Sequence, residues 1–481
     1  MRKPILLSVV AVILAGCAVG PDYTRPSVET PQAWRYEAKE AQDVANTLWW
    51  EQFGDPVMNE LILSALRENK DLMIAAARVE EYGGRLMVTR SDLFPQVTGS
   101  GTSSVNRVSE KGATPVPSSV SNPSKTYQGT FGSFWELDIW GRLRRADEAA
   151  RADLLATEEV RRGVILTLCS SVASSYIILR DLDNQLLIAK RTAESRKDTL
   201  DLFKTRSRGG VISDLELSQV KSQYAQALAR IPAIERLISQ QEDALSILLG
   251  KNPGPIARGK NIDELKLPAI PQGLPSDLLE RRPDIRQAEQ ALIAANARIG
   301  EARALYYPNI SLTGAFGWSS THLSDLFTGP ARVWTWGGSI DAPIFTGGAI
   351  KGQNKVAEAV QKEALFTYQK TIQNAFREVN DALMNQKQSR DQLDAQKMQV
   401  DALRDYARIA RTRFDNGYTS YIEVLDSERS LFEAELAYSQ TLDELFTDLV
   451  SIYMAMGGGW VTAADKLSSP RDNSEILDKP E

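Results

Sequence analysis

Few residues of this chain carry side chains that commonly do covalent or metal chemistry. Its 481 residues hold two cysteines, Cys17 and Cys169, and one histidine, His322. A single imidazole leaves no His-activated nucleophile and no His-rich metal cluster to build. No tract is rich in Met or His, and the 62 acidic residues support no enzyme reading beyond chance. The expectation is therefore no catalytic residue, no cofactor and no metal. Cys169, within the apolar run Leu166-Thr167-Leu168-Cys169, reads as a small core residue. Cys17 is the one group placed for covalent chemistry at its thiol. Were that thiol modified, no internal disulfide could form, even in an oxidising compartment.

The elements ahead of Cys17 set up that chemistry. Arg2 and Lys3 precede Ile5 to Leu14, an apolar run broken by Ser8 and too short to span a bilayer. Leu14-Ala15-Gly16 then brings small residues to Cys17. Residues 1–16 read as a signal peptide with its processing site. The pattern resembles a bacterial lipoprotein box, in which the cysteine becomes the first residue; an ordinary signal peptide with an incidental cysteine is the other reading. Ala18 rather than Asp follows, which by the same resemblance implies sorting to the outer membrane. The net charge of −6, about −8 once Arg2 and Lys3 leave, offers no electrostatic footprint for nucleic acid. No later apolar stretch of about 18 residues is expected, hence no transmembrane helix. Any membrane crossing must then be a closed barrel.

The chain is written twice. Asn69-Lys70-Asp71-Leu72 through Asp92-Leu93-Phe94-Pro95 matches Arg282-Pro283-Asp284-Ile285 through Leu305-Tyr306-Tyr307-Pro308 at a shift of 213 positions. Thr205-Arg206, Gly210 and Ser213-Asp214-Leu215-Glu216 match Thr412-Arg413, Gly417 and Ser420-Tyr421-Ile422-Glu423 at a shift of 207. Such a repeat organises the fold: each half, 69–250 and 282–457, reads as helix, strand, loop, strand, very long helix, tip turn and helix. Around them lie an N-terminal segment 17–68, a linker 251–281 and a C-terminal tail 458–481, within which 22–46, 251–275 and 460–481 read as having little regular structure.

From Gly141 to about Arg206 no proline occurs, enough for roughly 100 Å of helix. Ile165, Leu168, Val172, Leu179, Leu182, Leu186, Ala189, Ala193, Leu200 and Phe203 follow a 3,4 spacing, broken at Ser175 and Arg196. That is a coiled-coil seam. Ile372, Ala375, Val379, Ala382, Leu393, Val400 and Leu403 repeat it. Helices so long imply a rod or wall, with a solid bundle as the bland alternative. Tip turns at 207–213 and 415–420 precede Ser213-x-x-Glu216 and Ser420-x-x-Glu423, both read as capping boxes. Elsewhere the period changes to two, predicting strands at about 96–108, 126–139, 309–319 and 332–345. Ile310, Leu312, Gly314, Phe316 and Trp318 alternate with small and polar residues, as do Trp334, Trp336 and Ile340. Such strands fit a lipid-facing barrel wall or a half-buried soluble sheet. Four strands cannot close around a channel, so several copies must pool them. Two copies give eight strands and a filled interior; three give twelve and a pore.

These features, with Trp135-Glu136-Leu137-Asp138-Ile139-Trp140-Gly141-Arg142-Leu143, resemble the TolC-type outer-membrane factor family. Leu274-Pro275-Ser276-Asp277-Leu278-Leu279-Glu280-Arg281-Arg282-Pro283-Asp284-Ile285 and Ala342-Pro343-Ile344-Phe345-Thr346-Gly347-Gly348 are similar to its acylated, OprM-like branch. The resemblance implies a mixed α and β membrane protein. In it a trimer-shared, 12-stranded outer-membrane β-barrel continues into a long periplasmic α-helical barrel. It implies a homotrimer that is lipid-anchored at Cys17 and meets a periplasmic adaptor and an inner-membrane pump of the resistance-nodulation-division class. The function implied is the outer-membrane channel of a tripartite efflux system for drugs or other toxic small molecules. The exit duct of a type I protein secretion system and a periplasmic coiled-coil lipoprotein without a pore are the alternatives. Matched to the branch's constriction, Ile422 would form a hydrophobic ring and Asp426 an acidic one, stacked four residues apart on one helix face. A solvated helix-face acid is the plain reading of Asp426. Arg206 and Arg413 would clamp neighbouring helices at the tip, or simply cap helix dipoles.

Overall fold

The computed structural model of the chain describes residues 18–36, 47–112, 117, 121–271, 275–458 and 460–468. Cys17 lies outside the described residues.

The described chain is mostly helical, with one four-stranded sheet. Helix α1 (Pro56–Glu68) opens with Pro56 at its first position and Asp55 as cap, whose carboxylate accepts from the Val57 amide at 2.8 Å. Helices α2 (Lys70–Ser91) and, in the second half, α6 (Pro283–Ala304) stop just before Pro95 and Pro308. Proline lacks the amide a helix needs and pushes its neighbour towards extended backbone. Strands β1 (Gln96–Asn106) and β3 (Asn309–Ser320) start one residue later. Their partners are β2 (Ser124–Glu136) and β4 (Arg332–Asp341). The long helices α3 (Arg142–Arg208) and α7 (Ala349–Asp415) have 67 residues each. They return through α4 (Asp214–Leu248) and α8 (Tyr421–Met456). The four-residue helix α5 (Leu278–Arg281) precedes α6, and α9 (Trp460–Ser468) follows α8.

The chain divides into two units, and past the irregular stretch at 27–28 each crossing falls inside a helix. One holds residues 1–27, 78–157 and 287–368, with the whole sheet; the other holds 28–77, 158–286 and 369–481. The units therefore cut across the sequence repeat, each taking its share from both halves.

In the second unit Trp49, Trp50, Phe53, Tyr453 and Trp460 interlock edge-on and stacked at centroid separations of 5.3 to 6.1 Å. Such aromatic pairs add about 1 kcal/mol each beyond the area they bury. The C-terminal flank thus begins as a helix, α9, because Trp460, Val461 and Ala464 bury one face of it in this core. The linker is tied down by Arg258, which pairs with Asp183 and Glu242. One sequence expectation is corrected: α3 does contain a window long and apolar enough to cross a membrane by length and composition. Its residues Ile165, Leu168, Cys169, Val172, Tyr176 and Ile177 lie in the same core, so protein takes up that hydrophobicity. Burial there also pushes the Cys169 thiol up.

Candidate functional site

In the first unit the strands form an antiparallel meander, β1-β2-β3-β4. The register carries one face across all four strands: Gly99 opposes Phe131, Phe131 opposes Phe316, and Phe316 opposes Trp334. Because side chains alternate, that face holds Val97 and Val105, Phe131 and Trp135, Ile310 and Leu312, and Trp336 and Ile340. Its outer members are open to the surroundings, Trp334 by 68% and Trp336 by 79%. The opposite face holds Ser100 and Thr130, whose hydroxyls lie 3.0 Å apart, and Ser311 and Ser339 at 2.8 Å. Phe134 and Val333 are apolar exceptions on this polar face. Among the described residues β1 and β4 each have one neighbouring strand. One face is apolar, the other polar, and both edges are open.

The roots of these strands are fixed by charge and ring contacts. Glu136 takes both ends of the Arg142 guanidinium at 2.8 to 3.1 Å. Asp138 accepts the Leu143 and Arg144 amides at 3.0 and 2.9 Å and so caps α3. Trp140 stacks on Tyr307 at 4.7 Å and donates its indole N–H to the Pro308 carbonyl. The segment that follows Cys17 is strapped to the same place. The Val19 amide donates to the Trp140 carbonyl at 3.0 Å, Asn296 donates to the Pro21 carbonyl, and Asp22 pairs with the buried Arg145. Gly20 has φ +113°, and a Cβ there would stand 2.4 Å from the Gly300 Cα. Only glycine fits both the torsion and the approach.

The other candidate site is the tip of the second unit. Gly210 and Gly417 take positive φ in its turns, as the helix ends require. Phe203, Phe414 and Tyr421 meet at 4.3 to 6.1 Å, with Leu200, Val220, Ala410, Val424 and Leu425 around them. The Arg206 guanidinium lies 6.0 Å over Phe203 and 5.8 Å over Phe414, joining the ends of α3 and α7. Arg413 stands 3.9 Å from Glu423 within its own hairpin. Ser213 and Glu216 form a complete capping box. The second predicted box is not made: Ser420 is an extended N-cap without a side-chain hydrogen bond, and Glu423 faces Arg413 instead.

Ile422 and Asp426 lie one turn apart on the exposed face of α8, opposite the buried Val424 and Leu425. Ile422 is 58% exposed. Asp426 accepts from Arg429 at 2.8 Å. Val211 and Leu215, around the first tip turn, and Tyr418, in the second, are exposed as well.

Several members of this unit escape the sequence patterns. Arg196, a break in the seam, is 4% exposed; it lies 5.3 Å over Phe432 and donates to the Gln223 carbonyl at 2.8 Å. Burial lowers its pKa. Burial raises the Glu428 carboxyl, which Arg411 and Arg196 pull back down, and it also raises the Tyr421 phenol. Further along α8, burial, with Asp181, Glu444 and Asp448 nearby, pushes Asp443 up to about 7. Their signal in sequence is weak: charged residues set singly into an apolar stripe.

Known proteins share this arrangement. The profile of the family described as "Outer membrane efflux protein" matches residues 61–251 and 274–458. The chain is 36% identical to the "Probable efflux pump outer membrane protein TtgC" of Pseudomonas putida, over 96% of each chain. It is 36% identical to the "Cation efflux system protein CusC" of Escherichia coli, over 94% of this chain and 97% of that one. The open-state structure of the Neisseria gonorrhoeae MtrE outer membrane channel superposes with a TM-score of 0.84 at 31% identity, covering 92% of this chain and 99% of that one.

Proposed function

The chain belongs to the outer membrane efflux protein family, and from that membership we propose how its duct is assembled, anchored and closed. It is the outer-membrane channel of a tripartite efflux system, and its partners are a periplasmic adaptor and an inner-membrane pump. The family consists of channels rather than enzymes.

In the proposed assembly three copies pool their sheets into a twelve-stranded barrel. One observation carries this: a four-stranded sheet with one largely apolar face and, among the described residues, two open edges. Unpaired strand edges are not tolerated in lipid. Three sheets leave a pore where two would leave a filled interior. The apolar face meets lipid and the Ser and Thr face lines the lumen. The long helices continue the duct in the periplasm.

The proposal places the chain in the acylated, OprM-like branch, with a lipid on Cys17 and no bound cofactor. The strap of Ala18 to Asp22 supports it, because it holds the chain just after Cys17 beside the strand roots. At the periplasmic end, Ile422 and Asp426 would repeat around the threefold axis as an apolar ring and an acidic ring. Their exposure on α8 leaves them free to face that axis. Converging carboxylates repel and favour cations. Arg206, spanning Phe203 and Phe414, would hold the two hairpin ends together; Arg413 would do so within its own hairpin. The pump is of the resistance-nodulation-division class, and the cargo is drugs or other toxic small molecules.

Planar-bilayer recording of the full-length protein tests the duct. Asp426→Ala is expected to raise single-channel conductance and weaken cation preference. If both stay unchanged, Asp426 leaves the constriction; a water-soluble monomer without conductance ends the barrel reading. In the same preparation, an intact mass showing Cys17 as the first residue with acyl increments supports the anchor, and an unmodified mass removes it.

A further inference from the structure

We propose that the cleft beside the N-terminal strap binds the phosphate headgroup of an anionic phospholipid in the inner leaflet of the outer membrane. This rests on the outer-membrane placement of the strands argued above. The cleft lies wholly within the first unit and has a volume of about 680 Å³, inside the range of small-molecule sites. Val19 and Gly20 form one wall, Arg303 and Tyr306 at the end of α6 another, and Lys351 and Lys355 at the start of α7 a third.

Charge decides the ligand. Arg303 donates to Glu358 at 3.1 Å, so that pair is internally satisfied. Lys351 and Lys355 are exposed, and among the described residues neither has an ion-pair partner. Four positions apart on a helix, they present two ammonium groups on one face. The cleft therefore holds two uncompensated positive charges. A phosphate diester between two ammoniums satisfies them, and a tyrosine hydroxyl can donate beside it.

Position decides the source. Tyr307 ends the wall, and β3 starts two residues later at Asn309, so the cleft sits at the level where strands enter lipid. Tyrosines mark that level in barrel walls. Basic clefts at the membrane surface take anionic headgroups. Acyl chains from a headgroup held here can lie along the apolar strand face, beside the anchor carried two residues before Val19.

The test uses the full-length protein, delipidated in detergent and exposed to vesicles of phosphatidylglycerol or of phosphatidylcholine. Retained lipid is then counted by mass spectrometry. Wild type should retain phosphatidylglycerol preferentially. The double variant Lys351→Gln/Lys355→Gln should retain about fivefold less or lower still, and Lys351→Arg/Lys355→Arg should keep it. Equal retention of the two lipids, or undiminished retention by the glutamine variant, overturns the site. Displacement by millimolar inorganic phosphate overturns the lipid source in favour of a free anion. Conductance of the glutamine variant should match wild type. A failed lipid site with intact channels leaves the duct standing, whereas wild type without channels strikes the duct itself.

Discussion

The two helical hairpins that end at the tip lie 207 positions apart in sequence, and different forces close them. In the α3–α4 hairpin, Ser213 and Glu216 complete a capping box, while Asp214 and Lys221 are exposed. In the α7–α8 hairpin the same positions hold Ser420, Glu423, Tyr421 and Glu428. The serine makes no cap bond and the glutamate of the box turns to Arg413. Tyr421 is 2% exposed against Phe203 and Phe414, and Glu428 is part-buried beside Arg411. The first hairpin satisfies its own backbone; the second is held by its neighbour. Ile422 and Asp426 stand on the dependent hairpin, where the independent one has Leu215 and Gln219. One duplicated design has thus become a fixture and a part positioned by packing.

The sharpest way to break this contrast is to empty the aromatic contact. Tyr421→Ala is expected to cost the second hairpin about 3 kcal/mol or more, since it deletes a buried ring and leaves a cavity. Asp214→Ala at the matching position of the first should cost under about 1 kcal/mol, as surface changes do. Hydrogen exchange of peptides from the two tips reads both. Equal losses in the two hairpins would mean that neither depends on the other.

That asymmetry also marks how far sequence carried the reading. The prolines at 95 and 308 and the change of period after them were visible because each acts on its own backbone. Strand ends were less so: the sequence reading carried β4 to about 345, but it stops at Asp341, since Pro343 cannot donate to a ladder. Ser420-x-x-Glu423 read as a cap because the pattern contains no information about Arg413, which competes for the glutamate from the end of α7. Tyr421 matches the exposed Asp214 in the repeat, yet its burial depends on Phe203, more than 200 positions away. Gly20 passed unnoticed for the same reason: its demand comes from Gly300. Local rules were legible; choices settled by a distant partner were not.

A smaller effect sharpens the comparison from the other hairpin. Ser213→Ala removes the hydroxyl that accepts the Glu216 amide at 3.3 Å and should cost about 1 kcal/mol. Ser420→Ala has no such bond to lose and should cost no more than about 0.3 kcal/mol. The readout is again exchange at the first turn of α4 and of α8. A loss at Ser420 as large as at Ser213 would restore the second capping box and erase the distinction.

The smallest expected effect is a pH dependence confined to one hairpin. Burial raises the Glu428 carboxyl, with Arg411 and Arg196 opposing. Its folded state therefore binds the proton more tightly than the unfolded chain does. Stability from this group is gained as pH falls through the raised folded pKa towards the ordinary glutamate value near ~4.3, and lost as pH climbs back. Glu428→Gln should flatten that slope in α8 peptides once intrinsic exchange rates are removed. Lys221→Gln, at the matching exposed position of α4, should leave α4 unchanged across the same window. If α8 keeps its full slope without Glu428, the dependence belongs to another group, and the charge buried at the second hairpin does not tune it.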